Sequence, residues 1–154
     1  MTTVAVLVGS LRKESFSRKV ANAFAKLTPG LSFDFVDIGA VSYFNQDLEA
    51  NPPADWTSFR ERIARADAVL FVTAEYNRSV PGVLKNAVDV ASRPYGQGAL
   101  LGKPAAIIST SIGAIGGFGA NHHLRQSLAF LNMPVLAQPE AYIGNSAGLF
   151  AETG

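Results

Sequence analysis

Residues 3–18, TVAVLVGSLRKESFSR, contain the pattern from which the architecture of this chain is predicted. Residues 3–9 form a nearly continuous β-branched apolar run that ends in glycine, which is typical of a parallel strand buried on both faces. From Ser17 onward, apolar residues recur at three- and four-residue intervals until a Pro-Gly pair at residues 29–30, which predicts a helix. The segment therefore predicts a buried strand, a polar loop and a helix in succession.

The same alternation continues through the rest of the chain. Further strands are predicted at residues 33–38, 68–73, 104–111 and 135–143, and further helices after a cap at Asp55 and at residues 83–91 and 124–131. Because right-handed crossovers leave few other topologies, the alternation predicts a single α/β domain over residues 1–154, with a five-stranded parallel sheet between helices. Trp56 is predicted to be a packing residue.

Composition excludes several classes of function. With 13 Lys and Arg against 12 Asp and Glu, the net charge is +1 and no basic stripe is present, so a nucleic-acid partner is not expected. The absence of cysteine excludes thiolate metal sites and a catalytic thiol, so redox chemistry would need a borrowed cofactor. No apolar segment is long enough to span a membrane, and a cytoplasmic protein is expected. His122 and His123 follow the glycine-rich loop, but adjacent residues on a helix point in different directions and no carboxylate or thiol cluster joins them, so a metal site is not expected.

The loop after the first strand, residues 9–18, has the groups that bind phosphate. Three serines, Ser10, Ser15 and Ser17, accompany Arg12 and Phe16 at the start of a helix, where backbone N–H groups favour an anion. The loop matches neither the ATP-binding nor the dinucleotide-binding glycine pattern, so it suits a monophosphate such as FMN. The alternative is a serine-capped helix with exposed basic residues.

Two further loops follow the third and fourth strands. Residues 75–82, EYNRSVPG, offer Tyr76 and main-chain amides to a flat ring, although an ordinary turn with Asn and Pro-Gly explains them equally well. Residues 111–119, SIGAIGGFG, contain four glycines, which allow the backbone to approach a ligand closely. Because the carboxyl ends of parallel strands share one edge, all three loops are expected to meet at one site.

The three motifs GSLRKESFSR, EYNRSVPGVLKNAVD and TSIGAIGG followed by HLRQ resemble the NADPH-dependent FMN reductase family, and within it the quinone and chromate reductases. The resemblance implies a flavodoxin-like three-layer sandwich with strand order 2-1-3-4-5. It also implies bound FMN, with NADPH or NADH as co-substrate and a small acceptor such as a quinone, a flavin, an azo compound or a metal oxyanion. No side chain is expected to act as a nucleophile, since the flavin carries the chemistry.

The resemblance also implies residue roles and assembly. The phosphate of FMN would be held by Ser10, Arg12, Ser15 and Ser17, with Phe16 beside them, and the ring side would be lined by Glu75, Tyr76, Asn77, Arg78, Ser111, Gly113, Gly116 and Gly117. A homodimer or homotetramer is also implied. Arg125 and Glu140 are candidate interface residues because they are charges in otherwise apolar segments. Family members usually continue into a final helix, so its lack after the fifth strand predicts a truncated chain or cover from another subunit.

Other functions remain open at this point. A flavodoxin-type electron carrier is one alternative, although such carriers are normally strongly acidic and this chain is not. A non-redox α/β domain that binds another phosphate compound is a second alternative. The sequence leaves open which acceptor is used and whether NADPH is preferred to NADH, because Arg12, Lys13 and Arg78 are either contacts for a 2′-phosphate or solvated surface charges.

Overall fold

The computed structural model describes residues 1–151 and consists of a parallel sheet with α-helices on both faces. The strands are β1 (Thr2–Gly9), β2 (Leu31–Val36), β3 (Ala68–Thr73), β4 (Ala105–Thr110) and β5 (Ala141–Ile143). The α-helices are α1 (Phe16–Leu27), α2 (Ala54–Arg65), α3 (Gly82–Ala91) and α4 (Phe118–Phe130), and short 3₁₀ helices lie at Gln46–Leu48 and Ser146–Gly148. No helix within residues 1–151 is long and apolar enough to cross a membrane.

The strands are arranged in the order β2-β1-β3-β4-β5 and every neighbouring pair is parallel, which confirms the predicted flavodoxin-like topology. Gly9 at the end of β1 is paired with Thr73 at the end of β3, and Thr73 is paired with Ser109 near the end of β4. The loops that follow these three strands therefore leave the sheet side by side at one edge.

The sheet separates two hydrophobic cores, and the first is larger than the second. On one face, α2, α3 and α4 cover a core that includes Trp56, Phe71 and Leu84, all of which are fully buried. The burial of Trp56 confirms its predicted packing role. On the other face, the helical cover within residues 1–151 comes from α1, and a shallow apolar depression of about 220 Å³ remains beside it. This face is partly bare, as expected for a fold with no α-helix described after β5.

The prediction that Asp55 caps α2 is wrong. The helix begins at Ala54, and Pro53 occupies the N-cap position. The Asp55 carboxylate instead accepts hydrogen bonds from the Ser42 backbone N–H, at 2.7 Å, and from the Ser42 hydroxyl, at 2.8 Å. Hydrogen bonds to the charged form favour it, and these two bonds hold the pKa of Asp55 below its ordinary value. Asp55 therefore ties the loop after β2 to the first turn of α2.

Other boundaries also differ from the predicted ones. α1 begins one residue before Ser17, and β2 runs over Leu31–Val36 instead of residues 33–38. β5 is limited to Ala141–Ile143, because Val135 makes only an isolated bridge to Ala105 and Pro139 has no N–H to donate to a ladder. α4 begins at Phe118, well before residue 124, and so includes Gly119 and both histidines.

The central position of Phe71 generates a stability prediction. Phe71 is fully buried in β3, whereas Leu27 at the end of α1 is 80% exposed. We expect Phe71→Ala to lower the free energy of unfolding by about 3–5 kcal/mol, because it removes apolar contacts and leaves a cavity. The control Leu27→Ala should change that free energy by less than about 0.5 kcal/mol. Urea unfolding followed by circular dichroism measures both, and equal midpoints would contradict the core described here.

Candidate functional site

A cavity of about 190 Å³ lies at the carboxyl edge of the sheet, between the loops that follow β1, β3 and β4. It is lined by Ser10, Arg12, Ser15, Phe16, Ser17, Ala74, Glu75, Tyr76, Thr110, Ser111, Ile112 and Ser146. A larger depression of about 440 Å³ lies between α3 and α4, but Lys85 and Asp89 on its wall are paired with each other at 2.7 Å. The smaller cavity is the functional candidate, because hydroxyl groups converge there at the point where the strand order reverses.

The start of α1 supplies a favourable electrostatic environment for an anion. Ser15 is the N-cap residue, and its side-chain oxygen accepts a hydrogen bond from the Arg18 backbone N–H at 3.1 Å. The first turn of the helix contains no acidic residue, so no carboxylate within it offsets the partial positive charge of its backbone N–H groups. Ser15 and Ser17 are both almost completely buried and both line the cavity. Ser15 therefore serves both as the predicted helix cap and as part of the predicted phosphate loop.

Arg12 is held over the same loop by an aromatic contact. Its guanidinium carbon lies 5.4 Å from the centroid of the Phe16 ring, within the range of a cation–π interaction. The Phe16 ring in turn stacks on Phe150, with the ring centroids 5.9 Å apart. Phe16 thus links the phosphate loop to the segment that follows β5.

The loop after β3 contains a tight turn. Tyr76 and Ser79 exchange two backbone hydrogen bonds of 3.0 Å, and both central residues, Asn77 and Arg78, have positive φ values of 53° and 63°. These values define a type I′ turn, which is strained when a residue such as arginine occupies it. The turn leaves the Tyr76 side chain half exposed at the mouth of the cavity, whereas Asn77 and Arg78 lie outside its lining.

Glu75 joins this turn to α4. One carboxylate oxygen accepts a hydrogen bond from the Ala120 backbone N–H at 3.0 Å, in the first turn of the helix. The other oxygen lies 3.2 Å from the Arg78 guanidinium. A carboxylate at a helix N-terminus is stabilised by the unpaired N–H groups there. Glu75 therefore holds the second loop and the third loop in a fixed relation while it lines the cavity.

Two glycines of the glycine-rich loop are packed closely against neighbouring segments of the fold. A Cβ on Gly116 would lie 2.6 Å from the backbone carbon of Tyr142, and one on Gly117 would lie 3.1 Å from the side chain of Ser109. Both glycines have positive φ values, 61° and 78°. At Gly113, by contrast, a Cβ would meet only the Ser111 hydroxyl, at 3.6 Å. Ser111 lines the cavity, and these three glycines lie outside its lining.

The two histidines of α4 make ordinary hydrogen bonds. His122 Nε2 lies 2.9 Å from the Tyr142 hydroxyl, and His123 Nδ1 lies 2.9 Å from the Ser79 hydroxyl. Burial and the neighbouring Glu140 raise the pKa of Tyr142 to about 12, so its phenol stays protonated. Among residues 1–151, no group of three His, Cys, Asp or Glu side chains is placed to hold a metal ion.

Sequence reasoning missed two apolar residues of the cavity lining, Ala74 and Ile112, and two polar ones, Thr110 and Ser146. The side-chain oxygens of both polar residues are buried, and within the described part of the chain neither has a hydrogen-bond partner. A buried, unsatisfied hydroxyl costs about 1–3 kcal/mol, so the cavity is built for a ligand with hydrogen-bonding oxygens. Thr110 was detectable as a polar residue at the end of an apolar strand. Ser146 follows β5 in a segment with no sequence pattern that signals a site.

This set of groups fits the phosphate-bearing end of FMN. Hydroxyls from three loops, the Arg12 guanidinium and the N-terminus of α1 all supply donors, and a phosphate accepts hydrogen bonds on several oxygens. The fold is a flavodoxin-like α/β fold, and the polar cavity lies at the carboxyl ends of its strands.

Comparison with known proteins identifies the family. Residues 2–148 match the family model of NADPH-dependent FMN reductase, and the chain belongs to this family. It is 61% identical over 154 residues to a quinone reductase of Pseudomonas putida, covering 99% of this chain and 83% of the relative. It is 53% identical over 141 residues to a 2-hydroxy-1,4-benzoquinone reductase of a Burkholderia species, covering 91% of this chain and 77% of the relative.

A solved structure supports the same conclusion. FerB, a flavoenzyme NAD(P)H:(acceptor) oxidoreductase from Paracoccus denitrificans, is 46% identical and superposes with a TM-score of 0.89, covering 93% of this chain and 79% of FerB. FMN is the cofactor of the family and NAD(P)H is its reductant, as the sequence motifs implied.

Two glycine variants test which positions of the glycine-rich loop the fold requires to be glycine. We expect Gly116→Ala to lower the free energy of unfolding by about 2 kcal/mol or more, because its φ is positive and a Cβ would press on the backbone of Tyr142. The matched variant Gly113→Ala should change that free energy by less than about 0.5 kcal/mol. Thermal unfolding without cofactor measures both, and a Gly113→Ala loss as large as that of Gly116→Ala would contradict this distinction.

Proposed function

We propose that this chain is an FMN-dependent oxidoreductase that passes two electrons from NAD(P)H to a quinone. The observation that carries the proposal is the cavity at the strand-order reversal, with buried hydroxyls of Thr110 and Ser146 that have no partner within residues 1–151. The names of the relatives, a quinone reductase and a 2-hydroxy-1,4-benzoquinone reductase, support a quinone as the acceptor.

In this proposal, the first loop binds the phosphate end of the cofactor. The hydroxyls of Ser10, Ser15 and Ser17 donate hydrogen bonds, and Arg12 supplies the full positive charge. Ser15 can do this while it caps α1, because a hydroxyl that accepts from the Arg18 N–H keeps its own O–H as a donor. Phe16 keeps Arg12 near the loop through its ring face. When bound, FMN supplies the two-electron carrier between the nicotinamide and the acceptor.

The second and third loops form the ring side of the site. Tyr76 presents a half-exposed aromatic ring, and Ile112 lines the same cavity with 70% of its surface exposed. These side chains give the cavity mouth an apolar rim that suits a flat aromatic partner. Glu75 positions the second loop against α4, because its carboxylate contacts the Ala120 N–H and the Arg78 guanidinium. Asn77, Gly113, Gly116 and Gly117 are proposed to shape the backbone on this side, in agreement with the sequence motifs.

The assembly and location of the protein are also proposals. We propose a homodimer or homotetramer on the basis of the family resemblance, and a cytoplasmic location on the basis of the sequence. Within the chain, Arg125 donates to the Asn121 side-chain oxygen at 2.9 Å and to the Leu136 carbonyl at 3.0 Å. Sizing chromatography of the purified protein and of Arg125→Ala tests whether this arginine also contributes to an interface.

The central experiment records the visible spectrum of the purified protein with added FMN, then after anaerobic addition of NADPH, and finally after addition of a quinone. We expect flavin bands that bleach with NADPH and return with the quinone. Binding without bleaching would indicate a flavodoxin-type electron carrier. Failure to bind FMN at all would overturn the proposal and favour a domain for another phosphate compound.

A charge variant tests the phosphate loop. We expect Arg12→Ala to weaken FMN binding by about 10- to 100-fold, because a hydrogen bond to a charged phosphate is lost from the cavity. The adjacent Lys13→Ala serves as the control, since Lys13 is exposed and lies outside the cavity lining. Quenching of flavin fluorescence during titration gives both dissociation constants. Equal losses in the two variants would mean that Arg12 contributes only long-range charge.

A further inference from the structure

The fold buries the Ser146 side chain and makes no hydrogen bond with its hydroxyl within the described residues. The side chain is 0% exposed. The same residue lines the cavity that also contains Ser10, Ser15 and Ser17. Buried polar groups are nearly always hydrogen-bonded in native proteins, so an unpaired hydroxyl beside a polar cavity points to a ligand.

The position of this hydroxyl is fixed by the backbone around it. The Ser146 N–H donates to the Ser111 carbonyl at 3.1 Å, and the Asn145 N–H donates to the Gly113 carbonyl at 3.2 Å. Both acceptors belong to the glycine-rich loop. Ser146 also begins a short 3₁₀ helix, in which its carbonyl accepts from the Leu149 N–H at 3.3 Å. Ser146 is therefore held rigidly against the third loop.

The other end of this segment contacts the phosphate loop. Phe150 stacks on Phe16 with the ring centroids 5.9 Å apart, and the Lys19 ammonium lies 5.7 Å from the Phe150 ring centroid. Phe16 directly follows Ser15, the N-cap residue of α1. Residues 145–150 thus connect the third loop to the first loop, and Ser146 lies in the wall of the cavity between them.

We propose that Ser146 is a cofactor-binding residue whose hydroxyl donates a hydrogen bond to the phosphate of FMN. This inference rests on the proposed function and extends it to the segment after β5, which none of the sequence motifs includes. The phosphate is the favoured partner because the contact of the segment with Phe16 places it beside the serines and Arg12 of the first loop. A serine hydroxyl and a phosphate oxygen form a charge-assisted hydrogen bond.

The inference has a thermodynamic signature that a purely structural serine lacks. Without cofactor, Ser146→Ala removes a buried hydroxyl that has no partner, so the melting temperature should stay the same or rise. With saturating FMN, the variant loses a hydrogen bond, so the cofactor should raise its melting temperature less than that of the unaltered protein. A structural role would instead lower the melting temperature of the cofactor-free protein.

The decisive experiment compares FMN with riboflavin, which lacks the phosphate. Dissociation constants are measured by fluorescence quenching for the unaltered protein, for Ser146→Ala and for the control Ser32→Ala, which makes the same change at an exposed position of β2. We expect Ser146→Ala to bind FMN about tenfold more weakly and riboflavin within about twofold of the unaltered protein. Ser32→Ala should match the unaltered protein for both ligands. Ser146→Cys, a larger side chain with a weaker donor, is the second variant, and the same selective loss is expected.

The outcomes separate this inference from the proposed function. Equal weakening of FMN and riboflavin would overturn the phosphate assignment, because the hydroxyl would then contact a part that the two ligands share. Unchanged FMN binding in Ser146→Ala would overturn the inference while the proposed function stands. If the unaltered protein binds no FMN, both fail together.

Discussion

The parallel pairing of β1 with β2 on one side and β3 on the other is the constraint on which the site depends. In this register Gly9 lies next to Thr73, and a Cβ on Gly9 would come within 2.9 Å of the Thr73 hydroxyl and of the Leu84 side chain. The chain then leaves β1 toward α1 on one face of the sheet and leaves β3 toward α3 on the other. Because the two loops diverge, a crevice opens between them, and the lining residues Ser10, Arg12, Ser15, Glu75 and Tyr76 come from its two sides.

Polar groups at this edge of the sheet fall into two sets with different energetic roles. Glu75, Ser15 and Ser111 accept hydrogen bonds from backbone N–H groups and hold the three loops in place. Thr110 and Ser146 are buried without a partner in the described residues and therefore lower the stability of the cofactor-free chain. The first set keeps the cavity in shape, and the second would gain hydrogen bonds from the phosphate proposed above. A site of this kind is preorganised at the expense of stability.

Local periodicity predicted the parts of the structure that depend on neighbouring residues. β3 has the predicted limits, and the parallel sheet follows from the strand–helix alternation, whereas its strand order was implied by the family resemblance. The start of α4 was missed because it depends on Glu75, which is distant in sequence from its partner Ala120. Asp55 was misassigned for the same reason, since its partner is Ser42. Ser146 lay outside prediction altogether, because only the folded chain places it beside the first loop.

The cavity lining combines one positive charge with several neutral donors, and this combination suits a single phosphate group. Arg12 is the single basic residue in the cavity lining, and the remaining donors are neutral hydroxyls and the N-terminus of α1. Neutral donors bind an anion only when their geometry is right, whereas a cluster of lysines would attract any polyphosphate. With a net charge of +1, the protein as a whole adds little long-range attraction. The proposed selectivity for a monophosphate therefore has to come from the loop geometry that Glu75, Ser15 and the segment after β5 maintain.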